Sequence, residues 1–315
     1  MKLSVVVPIY NESGNLEKLF QELLSVLKSN NFDYEIIAIN DGSSDNSAYI
    51  LKNIAKNNRK IKIIDFNSNS GQTAAISAGI DYSSGDVVIP IDSDLENDPS
   101  DILRLVAKIN EGYDVVSGWR QGRWRGSFLT RKIPSMSANF LISKITGIKL
   151  HDYGCTLKAY KRDAIVGVRL YGEMHRFIPA YASWKGARVA EIPVNYRSRI
   201  YGRSNYGISR TFNVILDLVV IRFLDKYMNR PIHFFGGIGF VSLFLGFLAG
   251  FGAIILKILD LRDFVETPLP IFSALFIIVG VQMIIMGVMA EILMRTYYES
   301  QNKRPYNIKE KINLD

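Results

Sequence analysis

Two aspartates, Asp92 and Asp94, flank Ser93 directly after the apolar run Asp86-Val-Val-Ile-Pro-Ile91. A continuous apolar run bounded by Gly85 and an acidic turn predicts a central strand of a parallel sheet. Open α/β sheets take their ligands outside the carboxyl ends of their strands. Two carboxylates at such an end form a hard oxygen site for Mg2+ or Mn2+, and these metals commonly hold substrate phosphates. A solvated Asp-Ser-Asp turn is the competing reading of the same residues.

The elements that must position this pair alternate strand and helix. Strand patterns cover Leu3–Pro8, Tyr34–Asn40, Ile61–Asp65, Asp86–Ile91 and Asp114–Gly118. Helical patterns fall near Asn15–Ser29, Asp45–Asn57 and Gly71–Tyr82, and another opens at Pro99. This alternation predicts a mostly parallel α/β sheet. The strand ends carry polar residues suited to a nucleotide: Tyr10-Asn11-Glu12 after the first strand, and Asn40 to Asp45 after the second. Asp41 is placed to bind a base or ribose, and Gly42 permits close backbone approach. Asp45 reads as a helix cap. No Gly-x-Gly-x-x-Gly follows the first strand, which excludes a Rossmann dinucleotide site.

Apolar residues are unevenly spread along the 315-residue chain. Residues 1–210 have the composition of a soluble domain, whereas Ile232 to Leu256 and Leu269 to Ala290 lack Asp, Glu, Lys and Arg altogether. At 1.5 Å per residue these segments are about 33–37 Å long, enough to cross a bilayer core. The predicted division is a domain at 1–210, an interfacial amphipathic helix at 211–229, and transmembrane helices at 232–256 and 269–292. A loop at 257–268 joins the two spans, and a tail occupies 293–315. Within 211–229, Arg222, Asp225, Lys226 and Asn229 form one polar stripe, which suits a helix lying on a membrane. Four basic residues (Arg210, Arg222, Lys226, Arg230) precede the first span and five (Arg295, Lys303, Arg304, Lys309, Lys311) follow the second, against two in the loop. The positive-inside rule then places both termini and the domain in the cytoplasm.

The net charge of +8 clusters at Arg120–Lys132 and Arg197–Arg210 rather than in a nucleic-acid arm. Such clusters suit phosphates or an anionic membrane face. The single cysteine, Cys155, rules out an internal disulfide. Met1-Lys2-Leu3 runs straight into a strand pattern, which predicts no signal segment. His151, His175 and His233 lack metal-ligand spacing.

Four segments in order, Pro8-Ile-Tyr-Asn-Glu12, Asn40-Asp-Gly-Ser-Ser-Asp45, Gly71-Gln-Thr-Ala-Ala75 and Asp92-Ser-Asp-Leu95, resemble the motifs of family 2 glycosyltransferases with the GT-A fold. The nearest branch is the polyisoprenyl-phosphate glycosyltransferases. Gly118-Trp-Arg120, Arg131-Lys-Ile-Pro-Ser135, Gly154-Cys155, His175-Arg-Phe-Ile-Pro179 and Gly202-Arg-Ser-Asn-Tyr206 extend the resemblance along nearly the whole chain. The resemblance implies that Pro8, Tyr10, Glu12 and Asp41 line the nucleobase and ribose site, with Gln72 and Ser93 beside the donor. It implies a Mg2+ or Mn2+ ion on Asp92 and Asp94, with Glu96 standing where the family usually has Gln. Arg120, Arg131 and Ser135 match positions that hold the lipid phosphate or donor diphosphate, and Arg203 a position near the acceptor headgroup. Trp119 replaces the usual Ser before Arg120.

The implied chemistry is displacement at a sugar C1 by an oxygen of polyisoprenyl (undecaprenyl) phosphate, with a nucleotide diphosphate leaving and the anomeric centre inverting. The attacking group is already an anion, so arginines must hold it in line rather than a base activate it. Asp152 joins the candidates, either binding sugar hydroxyls or orienting an arginine; a turn aspartate before Gly154 is the alternative. By analogy the donor is UDP-glucose, with mannose, N-acetylglucosamine or aminoarabinose donors as alternatives. Relatives of the branch associate through their membrane regions, which implies a homo-oligomer. A processive synthase would need Gln-x-x-Arg-Trp, and Gln121-Gly-Arg-Trp124 is one residue short. A non-catalytic nucleotide-sugar sensor on the membrane is the reading of another class.

Overall fold

The fold was obtained as a computed structural model. It describes residues 1–121, 139, 142–144, 146–168, 174–197, 231–300 and 308–314, with 231–233, 291 and 294–300 as helical backbone. They form two compact units, one drawn from residues up to Leu218 together with Arg304–Asp315, the other from Val219–Lys303.

The first unit is built on an eight-stranded mixed sheet. Its strands are β1 (Lys2–Ile9), β2 (Asp33–Asn40), β3 (Ile61–Phe66), β4 (Val87–Pro90), β5 (Val115–Arg120), β6 (Lys158–Lys161), β7 (Val189–Val194) and β8 (Ile308–Ile312). The spatial order is β7-β5-β6-β4-β1-β2-β3-β8. The centre β4-β1-β2-β3 is parallel, as the buried apolar runs predict. β6 enters antiparallel between β4 and β5, β7 lies parallel to β5, and β8 closes the far edge antiparallel to β3. The parallel strands bring the ends of β1, β2 and β4 to one rim, so the polar turns that follow them share a face.

The crossovers are α1 (Leu16–Ser29), α2 (Ser47–Lys56), α3 (Gln72–Asp81) and α4 (Asp101–Asn110), followed by a short α5 (Arg162–Ile165) and α6 (Ile178–Trp184). α1 buries Leu16, Leu19, Phe20, Leu23 and Leu27, the face that a 3.6-residue period aligns. These side chains join Val5, Val7, Ile36 and Ala38 in one core cluster. Asp45 caps α2 as expected, its Oδ1 accepting the Ser47 amide at 3.0 Å.

β8 lies within the segment that sequence patterning treats as a tail. Ile312 stands opposite Ile63, Glu310 pairs with Lys52 at 2.6 Å, and Asn313 donates to the Ile61 carbonyl at 2.8 Å. The edge of β3 is thereby covered, which removes an exposed row of backbone donors and acceptors.

The second unit holds α7 (Pro231–Ile258) and α8 (Leu269–Ser300). Phe234–Ile258 and Leu269–Ala290 within them are long and apolar enough to cross a membrane. Small residues let the pair approach closely: a Cβ on Gly239 would lie 2.8 Å from the Gly280 carbonyl oxygen. Ser242 Oγ donates to the Phe276 carbonyl and Ser273 Oγ to the Gly246 carbonyl, each at 2.8 Å. The predicted helix at 211–229 lies outside the described residues.

Glu35 ties three strands together from a side chain only 3% exposed. It accepts hydrogen bonds from Ser4 on β1, from Lys62 on β3 at 2.7 Å, and from the Ser84 amide before β4. Burial pushes its carboxyl up, but the hydrogen bonds from Lys62, Ser4 and Ser84 outweigh burial and hold it at about 2. A carboxyl depressed in this way stabilises the fold above its unfolded value of 4.5, and the contribution disappears as pH falls toward 2. The expected contribution is about 2–3 kcal/mol. In detergent, the thermal midpoint of the full chain should fall between pH 5 and pH 2 more steeply than that of Glu35→Gln. Parallel profiles for the two proteins would refute the assignment.

Candidate active site

Asp92, Ser93 and Asp94 occupy the turn directly beyond β4, at the carboxyl rim of the parallel strands. Ser93 and Asp94 are buried, and Leu95 next to them adopts a left-handed φ of 62° that lets the chain double back. The turn is held from two directions. Asp94 Oδ1 accepts the Glu96 amide at 3.1 Å, and the Arg197 amide donates to the Glu96 carbonyl at 2.9 Å. An isolated bridge pairs Asn97 with Tyr196, and the Arg197 guanidinium spans Glu22 and Asp98 at 2.7 and 2.8 Å.

Gln72, the first residue of α3, donates from Nε2 to Asp92 Oδ1 at 2.7 Å and reaches Thr156 Oγ1 at 3.4 Å. The Thr156 hydroxyl also bonds Asp92. Burial and the neighbouring Asp94 charge nonetheless push the Asp92 carboxyl up to about 6. Two neighbouring carboxylates are a hard oxygen donor set of the kind a divalent cation accepts. Among the described residues no group of three or more His, Cys, Asp or Glu side chains converges to hold a metal. Glu96, expected as a third ligand, lies with Oε2 4.0 Å from Arg120 Nη1. The donor set therefore fits a cation held by one or two carboxylates with substrate oxygens completing its shell, the usual arrangement for Mg2+.

Arg120 ends β5 and is only 2% exposed in its side chain. Asp152 grips it in a fork: Nε donates to Oδ2 at 2.8 Å and Nη2 to Oδ1 at 3.1 Å. Such a planar, two-point pair fixes the guanidinium in orientation as well as place. Of the sequence alternatives for Asp152, the geometry is that of a residue orienting an arginine. Gly118 lets β5 run close to the segment before β6, because a Cβ there would meet the Leu157 carbonyl oxygen at 2.7 Å.

Of the remaining predicted residues, Pro8, Tyr10, Glu12 and Asp41 lie at or beyond the carboxyl ends of β1 and β2. Pro8 lies within β1, opposite Ile39 of β2. Tyr10 is 49% exposed beyond the end of β1, and Glu12 Oε2 accepts Asn15 Nδ2 at 2.5 Å. Asn11 joins the first two turns, its amide donating to Ser43 Oγ and its Oδ1 accepting the Ser44 amide. Asp41 is buried and accepts the Ser70 amide at 2.6 Å and the Gly71 amide at 2.9 Å. Burial outweighs these bonds and raises its carboxyl. A carboxylate has further lone pairs, so this anchoring leaves Asp41 capacity to accept from a ligand. Gly42, at φ +64°, passes so close to Ser68 that a Cβ would lie 2.5 Å from its carbonyl carbon. Arg131, Ser135 and Arg203, with Arg123 and Arg125, lie outside the described residues.

His175, flagged by the sequence only as part of a motif, is buried and its Nδ1 shares a 2.6 Å hydrogen bond with Thr73 of α3. Thr156, Lys158 and Glu191 were not singled out by sequence reasoning. No spacing marks them: Thr156 lies in the loop itself, and Lys158 on β6 and Glu191 on β7 meet residues 151–155 from separate strands.

A parallel rim carrying an acidic turn, an amide-anchored aspartate and a clamped arginine defines a glycosyltransferase of the GT-A kind. The solved structures similar to it in fold are of this class. Glucosyl-3-phosphoglycerate synthase from Mycobacterium tuberculosis in complex with phosphoglyceric acid has a TM-score of 0.54 at 19% identity, covering 71% of this chain and 79% of that one. The same enzyme in complex with Mn2+ and UDP-glucose has a TM-score of 0.54 at 18% identity, covering 70% and 78%. The chain belongs to glycosyltransferase family 2, whose model matches residues 4–167. It is 40% identical over 98% of its length, and 93% of the relative's, to dodecaprenyl-phosphate galacturonate synthase of Rhizobium johnstonii.

Metal binding by the acidic turn is directly measurable. Titration of the full chain in detergent with Mn2+, followed by electron paramagnetic resonance, should show one site. Asp92→Asn and Asp94→Asn should each weaken it at least tenfold, while Glu96→Gln should weaken it less than about threefold. Equal losses at all three positions would make Glu96 a full ligand.

Proposed function

We propose that this enzyme transfers a sugar from a nucleotide diphosphate donor to the phosphate of a polyisoprenyl lipid, with inversion at the anomeric carbon. The observation that carries the proposal is end-to-end similarity to a polyisoprenyl-phosphate sugar synthase, running through both apolar helices rather than the family domain alone. The donor sugar in this proposal is galacturonate, as the relative's name states, in place of the glucose expected from sequence resemblance.

The proposed roles draw on the geometry of the rim and on the family resemblance. Pro8, Tyr10, Glu12 and Asp41 line the side where the nucleoside would lie. Asp92 and Asp94 would hold the divalent cation, which supplies neutralisation of the charge that develops on the leaving diphosphate. Gln72 fixes the orientation of Asp92. An oxygen of the lipid phosphate forms the new bond to C1 as the bond from C1 to the diphosphate oxygen breaks. The attacking phosphate is an anion at neutral pH, so no side chain has to remove a proton. Arg120, held by Asp152, presents a fixed cation beside the acidic turn, and Arg131, Ser135 and Arg203 are proposed to hold the acceptor phosphate.

The membrane disposition proposed is two crossings by α7 and α8, with the catalytic domain and the final strand on the cytoplasmic side. Support comes from β8: it follows α8 in sequence yet pairs with β3, which precedes α7. With two crossings both flanks of the helix pair would lie on one side of the bilayer, and this pairing supports that reading. The excess of Lys and Arg on those flanks favours the cytoplasm.

The test is a donor screen with full-length protein in detergent, supplied with undecaprenyl phosphate, Mn2+ and one nucleotide sugar at a time. UDP-galacturonate should give a lipid-linked product by mass spectrometry, and UDP-glucose should give less than a tenth as much. Asp94→Asn should lose at least about 100-fold in kcat. Product from UDP-glucose alone would restore the glucose reading, and no product from any donor would overturn the lipid-phosphate acceptor.

A further inference from the structure

Building on the proposed transfer reaction, we infer that Glu191 and Lys158 are positioning residues that clamp the 151–155 loop from opposite ends, and so hold Asp152 and through it Arg120. The loop carries little internal order of its own: the Cys155 amide to Asp152 carbonyl bond is long, at 3.4 Å. Two buried charges supply what it lacks. Glu191, on β7 with a side chain 10% exposed, takes the donors at the start of the loop. The His151 amide reaches its two oxygens at 2.9 and 3.0 Å, the Asp152 amide reaches Oε1 at 3.1 Å, and His151 Nδ1 lies 2.7 Å from Oε2. Lys158, on β6 and 2% exposed, takes the acceptors at the other end. Its Nζ donates to the Tyr153 carbonyl at 3.2 Å and, by a short bond, to the Cys155 carbonyl.

A buried carboxylate or ammonium is costly unless hydrogen-bonded in full. Among the described residues each charge finds its hydrogen bonds on the 151–155 segment, Glu191 on two amides and the His151 ring and Lys158 on two carbonyls, so moving the loop strands both. The loop leads to the chemistry at two points. Asp152 forks onto Arg120, and Thr156, one residue beyond the clamp, bonds Asp92. Trp119 stacks on His151 with ring centroids 4.3 Å apart, closing the exposed side of the clamp. The arginine and the metal-binding carboxylate are therefore set by one segment whose ends are pinned by charges of opposite sign. Hydrogen bonds to the residue behind a reacting group govern how accurately that group is held.

The test combines kinetics with amide hydrogen exchange on the full chain in detergent, using Glu191→Gln and, independently, Lys158→Met. Each should lower kcat about 10- to 100-fold while the donor KM stays within about threefold. Exchange at the His151 and Asp152 amides should quicken at least tenfold in Glu191→Gln, with the β1 and β2 amides unchanged. In an Asp152→Asn background the same substitutions should cost less than about threefold more, because they act through the same carboxylate. Additive losses, wild-type kcat, or unchanged exchange at residues 151 and 152 would overturn the inference. A wild-type chain that makes no product would instead remove the reaction on which it rests.

Discussion

Among the described residues, four carboxylates, Asp92, Asp94, Glu96 and Asp152, crowd the rim beyond β4 and β5, and one buried guanidinium, Arg120, stands among them. The charge balance of that rim governs the surrounding structure. Burying Arg120 without a full partner would cost several kcal/mol, so Asp152 is committed to it. Burial and the Asp94 charge raise the proton affinity of Asp92, so a pair of this kind places a demand for positive charge and hydrogen-bond donors on its surroundings. A parallel sheet is well suited to hold such a cluster, because its strands end together and each following turn can contribute one polar group.

The neighbouring elements can be understood as answers to that demand. α3 begins where it must for Gln72 to reach Asp92, and its preceding turn is fixed by the two amides that Asp41 accepts. β6 and β7 are placed where Lys158 and Glu191 meet the loop that presents Asp152. The continuation of β7 through Tyr196 and Arg197 holds the segment after Asp94. Little of this is hydrophobic, and the apolar core enters mainly by fixing where strand ends fall.

The parallel centre was legible because buried strands read as apolar runs, and Val5, Ile36 and Val88 lie within such runs. The pair Asp92/Asp94 was legible because it follows one of them directly. β6, β7 and β8 were not. Lys158-Ala-Tyr-Lys161 is short and begins with a charge that is buried only because two carbonyls meet it. Ile308-Lys-Glu-Lys-Ile312 alternates as an edge strand should, but it pairs with residues some 240 positions earlier, beyond the reach of local pattern. The link between Asp152 and Arg120 spans 32 positions, so the sequence offered the aspartate as a candidate without choosing between its roles.

The place of β8 has a consequence for synthesis. The strand that completes the sheet leaves the ribosome after both apolar helices, so the domain cannot reach its finished form while those helices are being translated. Until then the β3 edge is open, with Ile61 and Ile63 on a strand able to pair with another chain. Synthesis of the two apolar helices and closure of the sheet are thus ordered in time by the gene itself, and a nascent chain released early would carry an unsealed edge open to pairing with another chain.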